Sequence, residues 1–129
     1  MNILSKVALA CGLAGMLVAG CGGSGTEAEK RGIGATCTPP PNDNCVEGLS
    51  CLAFKGGYCG LIGCTNDAGC PAGSACVQHN TANYCFLICN DKPDCNRNRT
   101  LDNEANCSSN AVLVEPGKST KVCVPPSRS

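Results

Sequence analysis

Fourteen cysteines and a single histidine, His79, carry most of the reactive chemistry this chain can offer. Cysteine at such density serves as disulfide cross-link, as metal ligand or as redox thiol, and spacing distinguishes these uses. Structural zinc sites draw on Cys pairs two to four residues apart, usually as Cys-x-x-Cys. No Cys-x-x-Cys occurs; the nearest pairs are Cys85 with Cys89 and Cys59 with Cys64. The same gap removes a thioredoxin-like motif. The reading is therefore disulfides, with no metal and no cofactor. Nor does any residue read as catalytic. A Ser-His-Asp arrangement needs an imidazole buried and oriented by a carboxylate, whereas His79 sits in the polar run Gln78-His79-Asn80 and reads as a surface residue. Asp43, Asp67 and Asp91 recur along the chain, but one repeat supplies too few oxygens for a calcium shell. They read as turn residues, and the chain as no enzyme.

The elements that must position these cysteines are sparse. In 129 residues there are 16 Gly, 8 Pro, no Trp and balanced charge. A Cys share above a tenth in so short a chain marks a disulfide scaffold. Zero net charge gives no electrostatic footprint for nucleic acid. From Cys37 to Cys123 only 17 residues are Val, Ile, Leu, Phe or Tyr, too few for a large core. Cross-links must supply much of the stability, at roughly 3 kcal/mol for each loop of about fifteen residues.

The chain opens with an address. Lys6 precedes an uncharged run from Val7 to Gly20, too short to span a bilayer as a helix and matching the apolar region of a signal peptide. Val18-Ala19-Gly20-Cys21 resembles a bacterial lipobox, in which cleavage frees Cys21 to carry lipid. Cysteine parity agrees: removing residues 1–20 discards Cys11 and leaves an odd number, and lipidating Cys21 leaves twelve that can all pair. Lipid at one end anchors the chain without spanning the membrane. Residues 21–36 then read as lipidated Cys and flexible, Gly-rich tether; Gly32-Ile33-Gly34 lacks the strand and third glycine of a nucleotide loop.

Three four-Cys modules follow. Cys37, Cys45, Cys51 and Cys59 lie in residues 37–63; Cys64, Cys70, Cys76 and Cys85 in 64–88; Cys89, Cys95, Cys107 and Cys123 in 89–124. Cys45, Cys70 and Cys95 are spaced 25 apart, and Asn42-Asp43, Asn66-Asp67 and Asn90-Asp91 recur every 24. Asn-Asp favours an Asx turn, and Gly48 and Gly73 of Cys-x-x-Gly-x-x-Cys suit a tight turn at positive φ. Gly56-Gly57 marks another turn. Twelve Cys admit on the order of ten thousand pairings; the one expected here is first with third and second with fourth in each module. The third module is longer. Its polar stretch 96–106 reads as a solvated loop, residues 111–124 as a β-hairpin about Pro116-Gly117, and 125–129 as a frayed tail. Its two insertions offer either a recognition surface or merely the atypical end of a repeat array.

The lipobox, the tether and beads of the form Cys-x5-Cys-x-x-Gly-x-x-Cys, seen best in Thr65 to Val77, resemble the Cys-rich repeat lipoproteins of myxobacteria and related bacteria. The spacing is more distantly similar to Dickkopf-type and EGF-like modules. The resemblance covers residues 1–21 and 37–95; the third module fits it poorly. With Gly and not Asp at position 22, it implies sorting to the outer membrane. The expected fold class is small and disulfide-rich, irregular with short β-hairpins and little helix beyond the signal peptide. The expected function is a non-enzymatic binding or structural module of the cell envelope, held to the membrane through Cys21 and meeting an envelope or extracellular protein partner. An alternative is an inhibitor of secreted proteases presenting the loop Glu115-Pro116-Gly117-Lys118.

Overall fold

The computed structural model describes residues 25–40 and 44–127. The expected signal peptide, Cys21, the first residues of the expected tether, the turn expected at Asn42-Asp43 and residues 128–129 lie outside them. The fold is a small disulfide-rich assembly of short antiparallel strands with little helix.

Each module is built on one strand pair. In the first, β1 (Ser50–Leu52) pairs with β2 (Tyr58–Gly60), setting Cys51 opposite Cys59. In the second, β3 (Ser74–His79) pairs with β4 (Ala82–Leu87), setting Cys76 opposite Cys85. In the third, β5 (Asn106–Ser108) pairs with β7 (Val122–Val124), setting Cys107 opposite Cys123. The facing cysteines do not bond each other. Each reaches back to an earlier one, giving Cys37–Cys51 and Cys45–Cys59, Cys64–Cys76 and Cys70–Cys85, Cys89–Cys107 and Cys95–Cys123. Every hairpin thus hangs from two cross-links. The closed loops span sequence separations of 12 to 28 residues, a length at which each contributes about 3 kcal/mol in the chain-entropy account.

The turns follow local chemistry. Gly48 and Gly73 sit at φ +90° and +94°. Asn66 caps a short 3-10 turn, Asp67–Gly69, accepting a hydrogen bond from the Gly69 amide at 3.1 Å. The Asp94 carboxylate accepts from the Asn90 and Asp91 amides at 2.9 and 3.1 Å, at the start of a helix from Lys92 to Asn96. Those two backbone donors hold its carboxyl below the ordinary carboxylate value.

Four sequence expectations are corrected. Residues 25–36 are no flexible tether. They form a helical turn, α1 (Glu27–Lys30), opened by a Thr26–Glu29 capping box, and Ala28 and Ile33 are buried. The Ala28 amide donates to Ala72 O at 2.8 Å, Gly34 N to Cys59 O at 2.9 Å, Cys59 N to Ala35 O at 3.0 Å, and Thr36 N to Asn98 O at 3.1 Å. The segment is a strap across all three modules. Thr26-Glu27-Ala28-Glu29 is itself a capping-box sequence, the signal that glycine-rich flanks obscured.

Next, the stretch 96–106 is not simply solvated. Ala105 is fully buried, and half-buried Arg99 donates to the carbonyls of Asn103, Gly34, Gly57 and Lys55 at 2.6 to 3.0 Å. Burial lowers the pKa of this guanidinium. Then the hairpin about Pro116-Gly117 does not form. Gly117 has the turn's positive φ, +80°, but β6 (Val112–Leu113) joins the edge of β3 while β7 joins β5. The cross-linked Cys107 and Cys123 claim β7 for their own pair, and Val114 N donates to Cys76 O at 3.0 Å. Finally, the tail is not frayed through its described part, since Pro125 is buried and Pro126 half-buried.

One apolar core runs through the assembly, taking Ala28 and Ile33 from the strap, Leu52 and Tyr58 from module one, Val77 and Phe86 from module two and Val122 from module three. Tyr58 is its centre. Its hydroxyl donates to Cys123 O at 3.0 Å and accepts from Leu87 N at 3.2 Å, tying the three modules at one atom. Burial pushes this phenol far above its ordinary value, against the smaller lowering effects of the Leu87 amide and nearby Arg99.

Candidate functional site

The chain has two Phe, two Tyr, no Trp and one His. All five of these rings meet in one cluster. The β3–β4 hairpin explains most of it. Alternation along β4 sends Tyr84 and Phe86 to one face and Cys85 to the other, so the two rings stack in parallel, 5.6 Å apart and 5° from coplanar. On β3 Val77 stands opposite Tyr84, and His79 lies two residues further along the same face, next to the turn. Asn80 makes that turn possible: it holds φ +56°, a left-handed value that Asn tolerates better than most residues.

The last ring comes from module one. After β1, Phe54 enters a turn closed by Gly57 N donating to Phe54 O at 2.8 Å. Gly56 and Gly57 carry it at φ +74° and +70°. A Cβ on Gly57 would lie 2.2 Å from Cys37 O, so no larger residue fits there. The turn sets the Phe54 ring 5.6 Å from His79, 5.2 Å from Tyr84 and 6.1 Å from Phe86, inclined at 63° to 73°.

Phe86 is wholly buried, whereas Phe54, His79 and Tyr84 are half-buried. These three line a surface concavity of about 380 Å³ together with Ala53, Asn80 and Ser127. Among the described residues, no carboxylate, lysine or arginine lines it. A concave site in which aromatic rings meet a few convergent polar groups is suited to binding a ligand. His79 is thus placed differently from the bare surface residue that its polar sequence neighbours suggest. No single window of the sequence contains Phe54 and Tyr84 together, and the scarcity of aromatics was the one available signal.

The other residues marked in the sequence are accounted for by structure. Cys37, Cys45 and Cys59, then Cys64, Cys70 and Cys76, then Cys89, Cys95 and Cys107, each gather their sulfurs within 4.8 Å, a grouping thiolates could offer a metal. Every one of these sulfurs is spent in a disulfide. Asp67 accepts from Cys76 N at 2.9 Å and from Lys118 Nζ at 2.5 Å, while its own amide donates to Glu115 Oε2 at 2.5 Å. Burial would raise its carboxyl, but the Lys118 and Cys76 hydrogen bonds outweigh this and hold it below the ordinary carboxylate value. Asp91 stands at the cap of the Lys92–Asn96 helix, and Asp43 and Cys21 lie outside the described residues. Lys118 is engaged by both Asp67 and Glu115, so the Glu115–Lys118 loop is docked on module two.

A further cleft of about 320 Å³ lies between the strap and the Lys92–Asn96 helix, but its Arg97 is already paired with Glu29 and Asp94 at 3.1 and 3.0 Å. No helix of the described residues is long and apolar enough to cross a membrane. Comparison with protein-family models gives no match, and comparisons with curated proteins and with solved structures give none either.

Proposed function

We propose that this chain is a lipoprotein of the cell envelope, anchored to the outer membrane through lipid on Cys21, and that it acts there as a non-enzymatic binding module. The observation that carries the binding reading is the aromatic pocket. A chain with four Phe and Tyr residues gathers all of them with its one histidine and leaves three rings half-open in a concavity. Rigid aromatic side chains give large contact area at low entropic cost, and disulfide stapling pre-organises them. The anchoring reading rests on the Val18–Cys21 sequence and on parity: twelve cysteines pair completely without Cys11 and Cys21.

Intact mass of the protein extracted from membranes tests the anchor. The expected mass is that of residues 21–129 plus acyl chains, with twelve thiols appearing only after reduction. An unprocessed N-terminus, or thiols free before reduction, would overturn it.

A further inference from the structure

We propose that the pocket formed by Phe54, His79 and Tyr84 binds a neutral, hydroxyl-rich ring, that is, an uncharged saccharide unit. This rests on the reading of the pocket as a binding site and goes beyond it by naming the ligand class.

The lining excludes its rivals in turn. With no lysine, arginine or carboxylate among its described lining residues, these residues offer no fixed charge to hold an anion or to pair with a cation. An aromatic cage for a cation needs rings set apart with room between them. Here the three rings lie 5.2, 5.6 and 6.5 Å apart, in edge-to-face contact with one another, which leaves no room between them for a cation.

A wholly apolar ligand is excluded by what surrounds those rings. Among the described residues the Tyr84 hydroxyl, the His79 imidazole, the Asn80 amide and the Ser127 hydroxyl make no hydrogen bond within the protein. Covering them with an apolar surface would strip them of water and return nothing. Tyr58 supplies the contrast. Its hydroxyl is used twice within the fold, by Cys123 O and Leu87 N, while that of Tyr84 is left to the pocket. A saccharide ring matches both halves of the site. Its C–H faces lie on aromatic rings, and its hydroxyls donate and accept at the rim, where tyrosine, histidine, asparagine and serine can do the same. About 380 Å³ falls at the small end of ligand pockets, which suits one or two rings of a longer chain.

The test is nuclear magnetic resonance of the mature full-length protein in detergent micelles, following the ring signals of Tyr84 and His79. The probes are cellotetraose, maltotetraose and chitotetraose, and separately a neutral peptide rich in Pro and Phe. The expected result is saturable movement of both rings with at least one saccharide and none with the peptide. Two variants keep the fold while removing polar groups: Tyr84→Phe deletes one hydroxyl, and Asn80→Gly deletes the amide while tolerating the positive φ. Each should weaken saccharide binding roughly three- to tenfold, the worth of one hydrogen bond. Saccharide binding unchanged in both variants would overturn the proposal. If only the peptide moves the rings, the pocket binds but the ligand class is wrong. If nothing moves them, both this inference and the binding reading fall.

Discussion

Tyr58 and Tyr84 are the same residue put to opposite uses. Tyr58 is fully buried and spends its hydroxyl on Cys123 O and Leu87 N, so that one oxygen joins the second and third modules to the first. Tyr84 is half-buried and its hydroxyl meets no protein partner among the described residues. Deleting the two hydroxyls should therefore have unequal effects. Tyr58→Phe leaves a buried carbonyl and a buried amide without their partner, which costs about 1–3 kcal/mol. Tyr84→Phe, whose hydroxyl faces the pocket, should stay within about 0.5 kcal/mol of the parent. Guanidinium unfolding of the oxidised proteins measures both. A Tyr58→Phe protein as stable as the parent would show that the two hydrogen bonds add nothing to water's.

Among the elements, the strap has the largest consequence. Residues 25–36 lead the chain into the first module, and they lie against all three modules. Gly73 shows how close that contact is: a Cβ there would sit 2.2 Å from Thr26 Oγ1. Lys30 and Arg31 are thereby held in a folded segment, with Ala28 and Ile33 buried on either side. Trypsin should cut after them at least tenfold more slowly than in Ala28→Asp, whose carboxylate cannot stay in the core. Equal cleavage rates in the two proteins would restore the flexible tether.

The strap also shows where sequence reasoning stops. Cysteine spacing made the three modules legible, because a cross-link is a local demand on turn residues such as Gly48 and Gly73. Glycines around Thr26–Glu29 outweighed its capping box, since composition speaks of the unfolded chain and burial of Ala28 depends on module two. The fate of β6 and β7 was equally hidden. Pro116-Gly117 specifies a turn, but which strand each arm joins is settled by β3 and by Cys107 far along the chain. The pocket was hidden for the same reason, as Phe54 and Tyr84 meet only across two modules.

For the molecule as a whole, the repeat suggests three beads, each stapled by its own pair of disulfides, and no disulfide joins one module to the next. Packing says otherwise. All of β2 is buried, and its covering is supplied by the strap and by β4 as well as by its own hairpin. A single core takes side chains from every module, with Tyr58 at the point where they meet. If that core stabilises the fold, the modules cannot melt separately with their disulfides intact. Calorimetry should show one transition, with calorimetric and van't Hoff enthalpies equal and a total of about 70 kcal/mol for roughly a hundred ordered residues. Tyr58→Phe should lower that one transition as a unit. Two or three separable transitions, only one of them shifted by Tyr58→Phe, would mean that the disulfides hold independent beads and that the pocket between modules one and two has no rigid floor.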